Sequence, residues 1–417
     1  MPHGIYDYDG PPRVSYEGHV FYAEDIVRDH YDLDAGSEGD RLDVVVSGGS
    51  MGGLFTAHAL GEGGHGVDVF EKTARGEMRG RGGGIVLHPE LLQYMRRHGI
   101  ADPEDIVFTI DGLEYVDREG DVFEEFDYEF FATSWDTTYR ALRRALPEDC
   151  YHMDQRVEDA TQNEESVTVS FEEREEVESD LLVVAEGYGS DIRRQFLPGV
   201  DLEYAGYVAW RGIASERDLP ADLVDRLREG FVYYHGPDTH VLSYAVPGPE
   251  GSTERGDRRI NLVWYQNVSA GEELNDLLLD TNGIQREGSL PPGTVREEVK
   301  EAHVKRARET APTVFTRLFE AYDEPYIQAI YDLAVPEMVF DRVCVLGDAA
   351  FFIRPHMAAG TSHAAADGIA LGEALSGSDD RDDLDVALGD WEEAQLDLGW
   401  RLVERARERG DRYMGQL

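Results

Sequence analysis

Cysteine is almost missing from this chain: 417 residues carry only Cys150 and Cys344. Cys344 sits inside the apolar run Val343 to Leu346, so neither a disulfide framework nor a thiolate metal cluster is expected, and a reducing cytoplasm fits. Lysine is nearly as scarce, confined to Lys72, Lys300 and Lys305. Positive charge as a whole is short, with 39 Lys and Arg against 85 Asp and Glu and a formal net charge of -46 at pH 7. A phosphate polymer would be repelled, which excludes nucleic acid as a partner. Apolar runs long enough to span a bilayer are lacking, so no stable membrane association is expected. Residues 1–40 are acidic and Tyr-rich without a signal-peptide core, and read as an extension packed on, or trailing from, the body. No internal repeat or low-complexity tract occurs.

What is present is a globular composition, 41% hydrophobic and 10% aromatic, in a chain long enough for two interleaved domains. The acids are spread along the whole length, as in Asp149 to Asp159, Glu172 to Asp180 and Asp379 to Asp385, and so read as a solvated surface. High acid with little lysine suits a protein kept soluble in concentrated salt, where screening removes most self-repulsion. A halophilic archaeon is the expected source; a merely acidic mesophilic enzyme is the blander alternative.

Periodicity divides the chain. Leu42 to Val46, a Gly-rich turn, Met51 to Leu60 and Val67 to Phe70 read as strand, turn, helix, strand. A strand-like piece near Leu113 to Val116, a helix from about Thr138 to Leu146, a hairpin of Val157 to Thr161 with Val167 to Phe171, and a buried parallel-type strand Leu181 to Ala185 follow. Tyr207 to Gly212, Phe231 to His235, His240 to Val246 and Ile260 to Tyr265 alternate and are aromatic-rich, the pattern of an antiparallel sheet. Leu274 to Glu320 reads as helix interrupted at Gly288 to Gly293. Arg342 to Leu346 is another buried strand, followed by helices at about Ala359 to Leu375 and Leu384 to Arg409. Parallel-type strands therefore lie at both ends of the chain with the antiparallel block between them, predicting one α/β nucleotide-binding domain built from distant segments.

Three motifs carry chemistry. Gly48-Gly49-Ser50-Met51-Gly52-Gly53 follows a strand and opens a helix, matching G-x-G-x-x-G with Ser50 at the second glycine. Glycines there let the backbone approach a pyrophosphate, and free N–H groups at the helix start supply positive charge. Glu71, with Lys72 beside it, closes the second strand at the distance expected of an acid that binds ribose hydroxyls. The alternative is a nonbinding strand-helix turn. Val343 to Gly347-Asp348-Ala349-Ala350, then Arg354-Pro355-His356 and Gly360-Thr361, places a carboxylate after a buried strand and ahead of a helix, where it accepts hydrogen bonds from a polyol or caps a helix. Leu181 to Ala185-Glu186-Gly187-Tyr188-Gly189-Ser190-Asp191-Ile192-Arg193 reads as strand, tight turn and capped helix, or as a plain surface turn.

In this order the three motifs resemble the flavoprotein aromatic hydroxylases, with the nearest likeness to the 2,6-dihydroxypyridine 3-hydroxylase-like members. The likeness runs from about Leu42 to Leu375. It is sharpest at Gly347-Asp-Ala-Ala-Phe-Phe-Ile-Arg-Pro-His-Met-Ala-Ala-Gly360, Tyr204-Ala-Gly-Tyr-Val-Ala-Trp-Arg-Gly212 and Asn261-Leu-Val-Trp-Tyr265. It implies an FAD-binding Rossmann-like domain of discontinuous segments (41–112, 136–200 and 335–376), an antiparallel-sheet substrate domain (113–135 and 201–334) and a C-terminal helix (377–417). It puts Gly48, Ser50, Met51, Gly52 and Gly53 at the FAD pyrophosphate, Glu71 and Lys72 at the adenosine, Gly347 and Asp348 at the ribityl chain, and Pro355, Gly360 and Thr361 by the flavin ring. Arg81, in a Gly-rich loop, and Arg140, heading a helix, would also face the cofactor; loop flexibility and a surface cation are the plain alternatives.

The reaction so implied is NAD(P)H-dependent, O2-using hydroxylation of a small aromatic substrate through a C4a-hydroperoxyflavin, with NADH or NADPH bound transiently and room for a homodimer. His356 is the candidate for substrate contact or proton transfer, unless a neighbouring carbonyl satisfies it. Tyr207, Trp210, Arg211 and Tyr265 are substrate-side candidates, though alternation turns about half of such residues into a core. Glu186, Ala358, Phe351 and Ser362 depart from the usual Asp, Gly, His and Asn. Two rival readings are a same-fold reductase of isoprenoid double bonds, disfavoured by the lack of an apolar membrane-facing helix, and a non-catalytic flavin-binding protein.

Overall fold

The structure, a computed structural model, describes residues 41–74, 83–228, 230–237, 239–376 and 381–416. It is built on two large sheets. The first has six strands in the order Val339–Phe340, Val343–Val345, Leu181–Val184, Asp43–Ser47, Gly66–Glu71 and Tyr151–Met153, all parallel except the outermost pair. Its central strands are apolar on both faces, as a parallel sheet covered on both sides requires; Leu181, Leu182, Val183 and Val184 are fully buried. The strands come from segments far apart in the chain, so the expected discontinuous α/β domain is what forms.

Two helices cover this sheet next to each other, Met51–Glu62 and Gly360–Leu375. Their close approach depends on small residues. A Cβ on Gly368 would lie 2.3 Å from Thr56 Oγ1, and one on Gly372 would lie 2.6 Å from the Ala59 Cβ. Both helices begin near the carboxyl ends of the parallel strands, the crevice where ligands of open α/β sheets bind. A three-stranded sheet, Val157–Gln162, Val167–Phe171 and Val177–Ser179, packs against the strands Asp43–Ser47 and Leu181–Val184 and the helix Asp191–Phe196.

The second sheet has ten strands, mostly antiparallel, with Glu203–Ser215, Arg259–Asn267, Thr239–Val246 and Phe231–Gly236 at its centre. One pairing departs from the antiparallel expectation: Phe231–Gly236 runs parallel to Phe108–Val116. Gly84–Leu87 and Val122–Ser134 extend the same sheet. One face packs on helices Glu297–Thr310 and Thr313–Glu320 through Trp210, Trp264 and Phe319. The other face, carrying Tyr207, Tyr233, Tyr244 and Tyr265, turns toward the first sheet. The segment expected as interrupted helix, Leu274 to Glu320, is helical at Glu272–Leu277, Glu297–Thr310 and Thr313–Glu320, and the interruption is a long loop that carries the short strand Ser289–Leu290. The C-terminal helix, Arg381–Tyr413, is the longest described. No helix among the described residues is long and apolar enough to cross a membrane.

Candidate active site

The first glycine motif makes a tight strand-to-helix turn. Gly48 has φ +106°, in the region that only glycine enters freely, and a Cβ there would stand 2.3 Å from the Ala185 carbonyl oxygen. A Cβ on Gly53 would meet the Gly48 oxygen at 1.9 Å. The helix then starts at Met51 without a side-chain cap on its N–H groups and without an acid in its first turn. Ser50, Met51 and Gly52 border a cleft of about 1020 Å³, so these amides are open to it. Gly53 lies underneath and sets the packing. Glu71 and Lys72 border the same cleft, and the Glu71 carboxylate accepts the amides of Gly49 (2.9 Å) and Thr73 (2.8 Å).

A second helix start faces the cleft from the other side. Gly360 and Thr361 border it, again with no side-chain cap and no acid in the first turn. Between the two helix starts lies Asp348, in a loop pinned by the Gly347 amide donating to Asp367 Oδ2 at 2.8 Å. Burial pushes the Asp348 carboxyl up to about 7, and the Asp367 carboxylate adds to the rise. No donor to that carboxyl is found among the described residues, and a polyol would provide one.

The third motif closes the cleft. Glu186, in place of the usual aspartate, accepts Ser47 Oγ and Ser190 Oγ at 2.6 Å each, and the Ile192 amide at 3.3 Å. The longer acid thus braces the first strand against the start of helix Asp191–Phe196, while Arg193 donates to the Tyr188 carbonyl at 2.8 Å.

A smaller cavity of about 240 Å³ joins the cleft at Tyr331, Asp348, Gly360 and Thr361, which border both. Its walls are Ile85, Phe231, Tyr244, Leu242, Val263 and Phe352, with Arg211, His240, Tyr265 and His356 as polar groups. Pro355 also lines it. The only carboxylate among its lining residues is Asp348, and Arg211 forms no ion pair with a carboxylate among the described residues. Its Nε is buried without a partner. His356 shares a hydrogen bond with Tyr207 Oη at 2.9 Å, and its Nδ1 is buried without a partner. Burial, then the charges of Arg354 and Arg409, hold His356 neutral, well below the usual imidazole range. Burial raises Tyr265 to about 12, so it stays a phenol.

The structure therefore brings most of the expected residues that it describes to one place, but Trp210, Tyr207 and Arg140 line neither cavity. Trp210 points to the opposite face of its strand, stacked on His303 (4.1 Å between ring centroids) beside Phe319, and has no access to the ring cavity. Arg211, one position on, takes the cavity side because side chains alternate, while Tyr207 is on that face but fully buried, hydrogen-bonded to His356, and does not line the cavity. Arg140 borders neither cavity; it lies 3.6 Å from Asp136 and 3.8 Å from Glu250. Arg81 falls outside the described residues. Sequence reasoning passed over His240, Tyr233 and Tyr244, whose strands are buried along their whole length, and over Trp135 on the cleft wall.

Two uncapped helix starts on one cleft, a glycine cradle that a Cβ at Gly48 or Gly53 would fill, and a half-buried carboxyl on the wall of both cavities all fit an extended dinucleotide whose ring end reaches the smaller cavity. A sequence family described as FAD binding domain-like matches residues 204–332. The chain is 31% identical to 2,6-dihydroxypyridine 3-monooxygenase of Paenarthrobacter nicotinovorans over 89% of this chain and 91% of that one. It is 28% identical to 3-hydroxybenzoate 6-hydroxylase of Klebsiella oxytoca over 89% and 88%. Among solved structures, 2,6-dihydroxypyridine-3-hydroxylase from Arthrobacter nicotinovorans superposes with a TM-score of 0.84 at 28% identity, covering 90% of this chain and 94% of that one. The fold and site are those of an FAD-dependent oxidoreductase. The chain belongs to the flavoprotein aromatic hydroxylase family: it is an FAD-dependent monooxygenase that uses NAD(P)H and O2.

Proposed function

We propose that this monooxygenase hydroxylates a small, planar, electron-rich aromatic or N-heteroaromatic ring that enters the 240 Å³ cavity as an anion. The observation that carries this is Arg211, a half-buried guanidinium on the cavity wall that has a phenol partner, Tyr326, but no carboxylate partner among the described residues, since a charge held away from water favours a counter-ion. The relatives named for dihydroxypyridine and hydroxybenzoate support the same class of ring.

Bound FAD supplies the electron transfer and oxygen activation. The chain's part is to hold both partners and exclude water. Gly48, Ser50, Met51, Gly52 and Gly53 would cradle the pyrophosphate, Glu71 and Lys72 the adenosine, and Asp348 the ribityl hydroxyls. Pro355 and the amides at Gly360 and Thr361 would sit by the flavin ring, where helix-start charge favours the reduced form. Arg211 would favour the ionised ring, Tyr265 and Tyr244 would bracket it, and neutral His356 would accept a hydrogen bond at Nδ1. The six-stranded layer would be the cofactor domain and the ten-stranded layer the substrate domain. The acidic, lysine-poor composition supports a cytoplasmic protein of a halophilic archaeon.

The test compares the FAD-loaded protein with Arg211→Met on a panel of hydroxylated pyridines and phenols, each paired with a neutral O-methyl analogue. Loss of one charge-assisted contact should lower kcat/KM for ionised rings by about 10- to 100-fold and leave binding of the neutral analogues unchanged. Equal losses for both would contradict the anionic-substrate reading.

A further inference from the structure

Behind the side chains that line the ring cavity lies a segment from the far end of the chain. Three imidazoles line up behind it: His235 stacks on His240 at 4.3 Å between centroids, and His240 on His356 at 5.6 Å. Tyr413 touches all three, at 4.6 Å from His235, 4.9 Å from His240 and 5.4 Å from His356. Tyr413 and Met414 are fully buried.

One residue before the Pro355-His356 pair, Arg354 is clamped from two directions. Its Nε and Nη2 donate to Asp332 at 2.9 and 2.7 Å, and its Nη1 donates to Asp411 at 2.5 Å. Arg407 Nε adds a contact to Asp332 at 3.0 Å. Gly410 passes so close that a Cβ would lie 2.6 Å from Tyr207 Oη and 2.9 Å from Arg354 Nη1. The segment is tied down by the Met414 carbonyl, which accepts Asn267 Nδ2 at 3.0 Å.

We propose that the end of the C-terminal helix, Arg407 to Met414, is a working part of the ring cavity: Asp411 aligns Arg354, Tyr413 backs the imidazoles, and together they hold His356 toward the substrate. This rests on the substrate-side placement of His356 proposed above. Asp411 and Tyr413 are positioning residues, since neither borders the cavity. The groups that face His356 and Arg354 are Tyr207, Arg211 and Tyr265 from the central strands, His235, His240 and Tyr233 from the hairpin, Asp332, and Arg407, Arg409, Asp411 and Tyr413 from the helix. Among these the carboxylates are Asp332 and Asp411, so removing one leaves the cavity more positive.

The experiment uses FAD-loaded Asp411→Asn, Asp411→Glu, Tyr413→Ala and Tyr413→Phe, with two readouts. The first is hydroxylated product per NAD(P)H oxidised. Tyr413→Ala should lower it by about tenfold, because a small misplacement of reacting groups wastes turnover, and Tyr413→Phe should restore it. The second needs no turnover: 4-nitrophenol is titrated in the cavity by its visible absorbance. With Asp411→Asn the positive field is less compensated, so the probe should ionise at lower pH, and Asp411→Glu should bring the midpoint back. An unaltered midpoint in Asp411→Asn together with unaltered coupling in Tyr413→Ala overturns the proposal. So do losses that the conservative variants fail to restore. If the unaltered protein forms no hydroxylated product, the hydroxylase reading fails instead, and the nitrophenol midpoint still decides the role of Asp411.

Discussion

Asp348 shows how much a single side chain depends on its surroundings. Its carboxyl is raised from 3.8 to about 7 by burial and by Asp367. A group whose folded pKa lies above its unfolded value binds more protons when folded, so the flavin-free protein should lose stability as pH rises from about 4 to 7. Polyol hydroxyls donating to the ionised carboxylate reverse that penalty. The rise in Tm on adding FAD should therefore be larger at pH 8 than at pH 5.5, and Asp348→Asn should flatten the difference; a pH-independent rise in the unaltered protein would separate Asp348 from the cofactor. At this scale the placement of Gly48, Gly52, Glu71, Asp348 and Thr361 on one cleft was legible in sequence, because each is fixed by local geometry next to a strand or helix end. Trp210 was not, since which face of a strand meets the cavity depends on the neighbouring layer. A register irregularity between Tyr204 and Val208 further breaks simple counting along that strand.

Among elements, the parallel strands and the two helices announced themselves by unbroken apolar runs, and their strand-to-helix turns by glycine. The strand Val122–Ser134 did not, because its alternating acids resemble a solvated surface segment, and its outer half is exposed on every second residue or more. Tyr326–Ala334 was also passed over: its pairing with Glu203–Ser215 is a contact across more than a hundred residues that no local pattern reports. The same reason hid the end of the C-terminal helix. The helix expected over Leu384 to Arg409 continues to Tyr413, and Tyr413 and Met414 are buried, Met414 within the cluster on the second sheet. Helix starts at Met51 and Gly360 meet one cleft only because glycines at 368 and 372 let the two helices touch. Cofactor geometry is thus set by helix packing as well as by the motifs themselves.

For the whole molecule, the charge of -46 on 417 residues is the dominant feature. Self-repulsion destabilises a compact chain, and salt shortens its range from roughly 30 Å at 0.01 M to 3 Å at 1 M. Many arginines are engaged in surface pairs such as Arg317 with Asp222 and Arg308 with Glu320, worth about 0–1 kcal/mol each, and these are too few to neutralise 85 acids. The unfolding temperature should rise between 0.1 and 2 M KCl, and a temperature unchanged or lowered by salt would remove the halophilic reading without touching the chemistry.

The chemistry itself is tested most directly by isotope. The FAD-loaded protein, supplied with NAD(P)H, 18O2 and the ring that best stimulates oxidation, should give a product one oxygen heavier, carrying the 18O label. Label absent from the product, or arriving instead from 18O-water, would contradict the account of this chain as a monooxygenase.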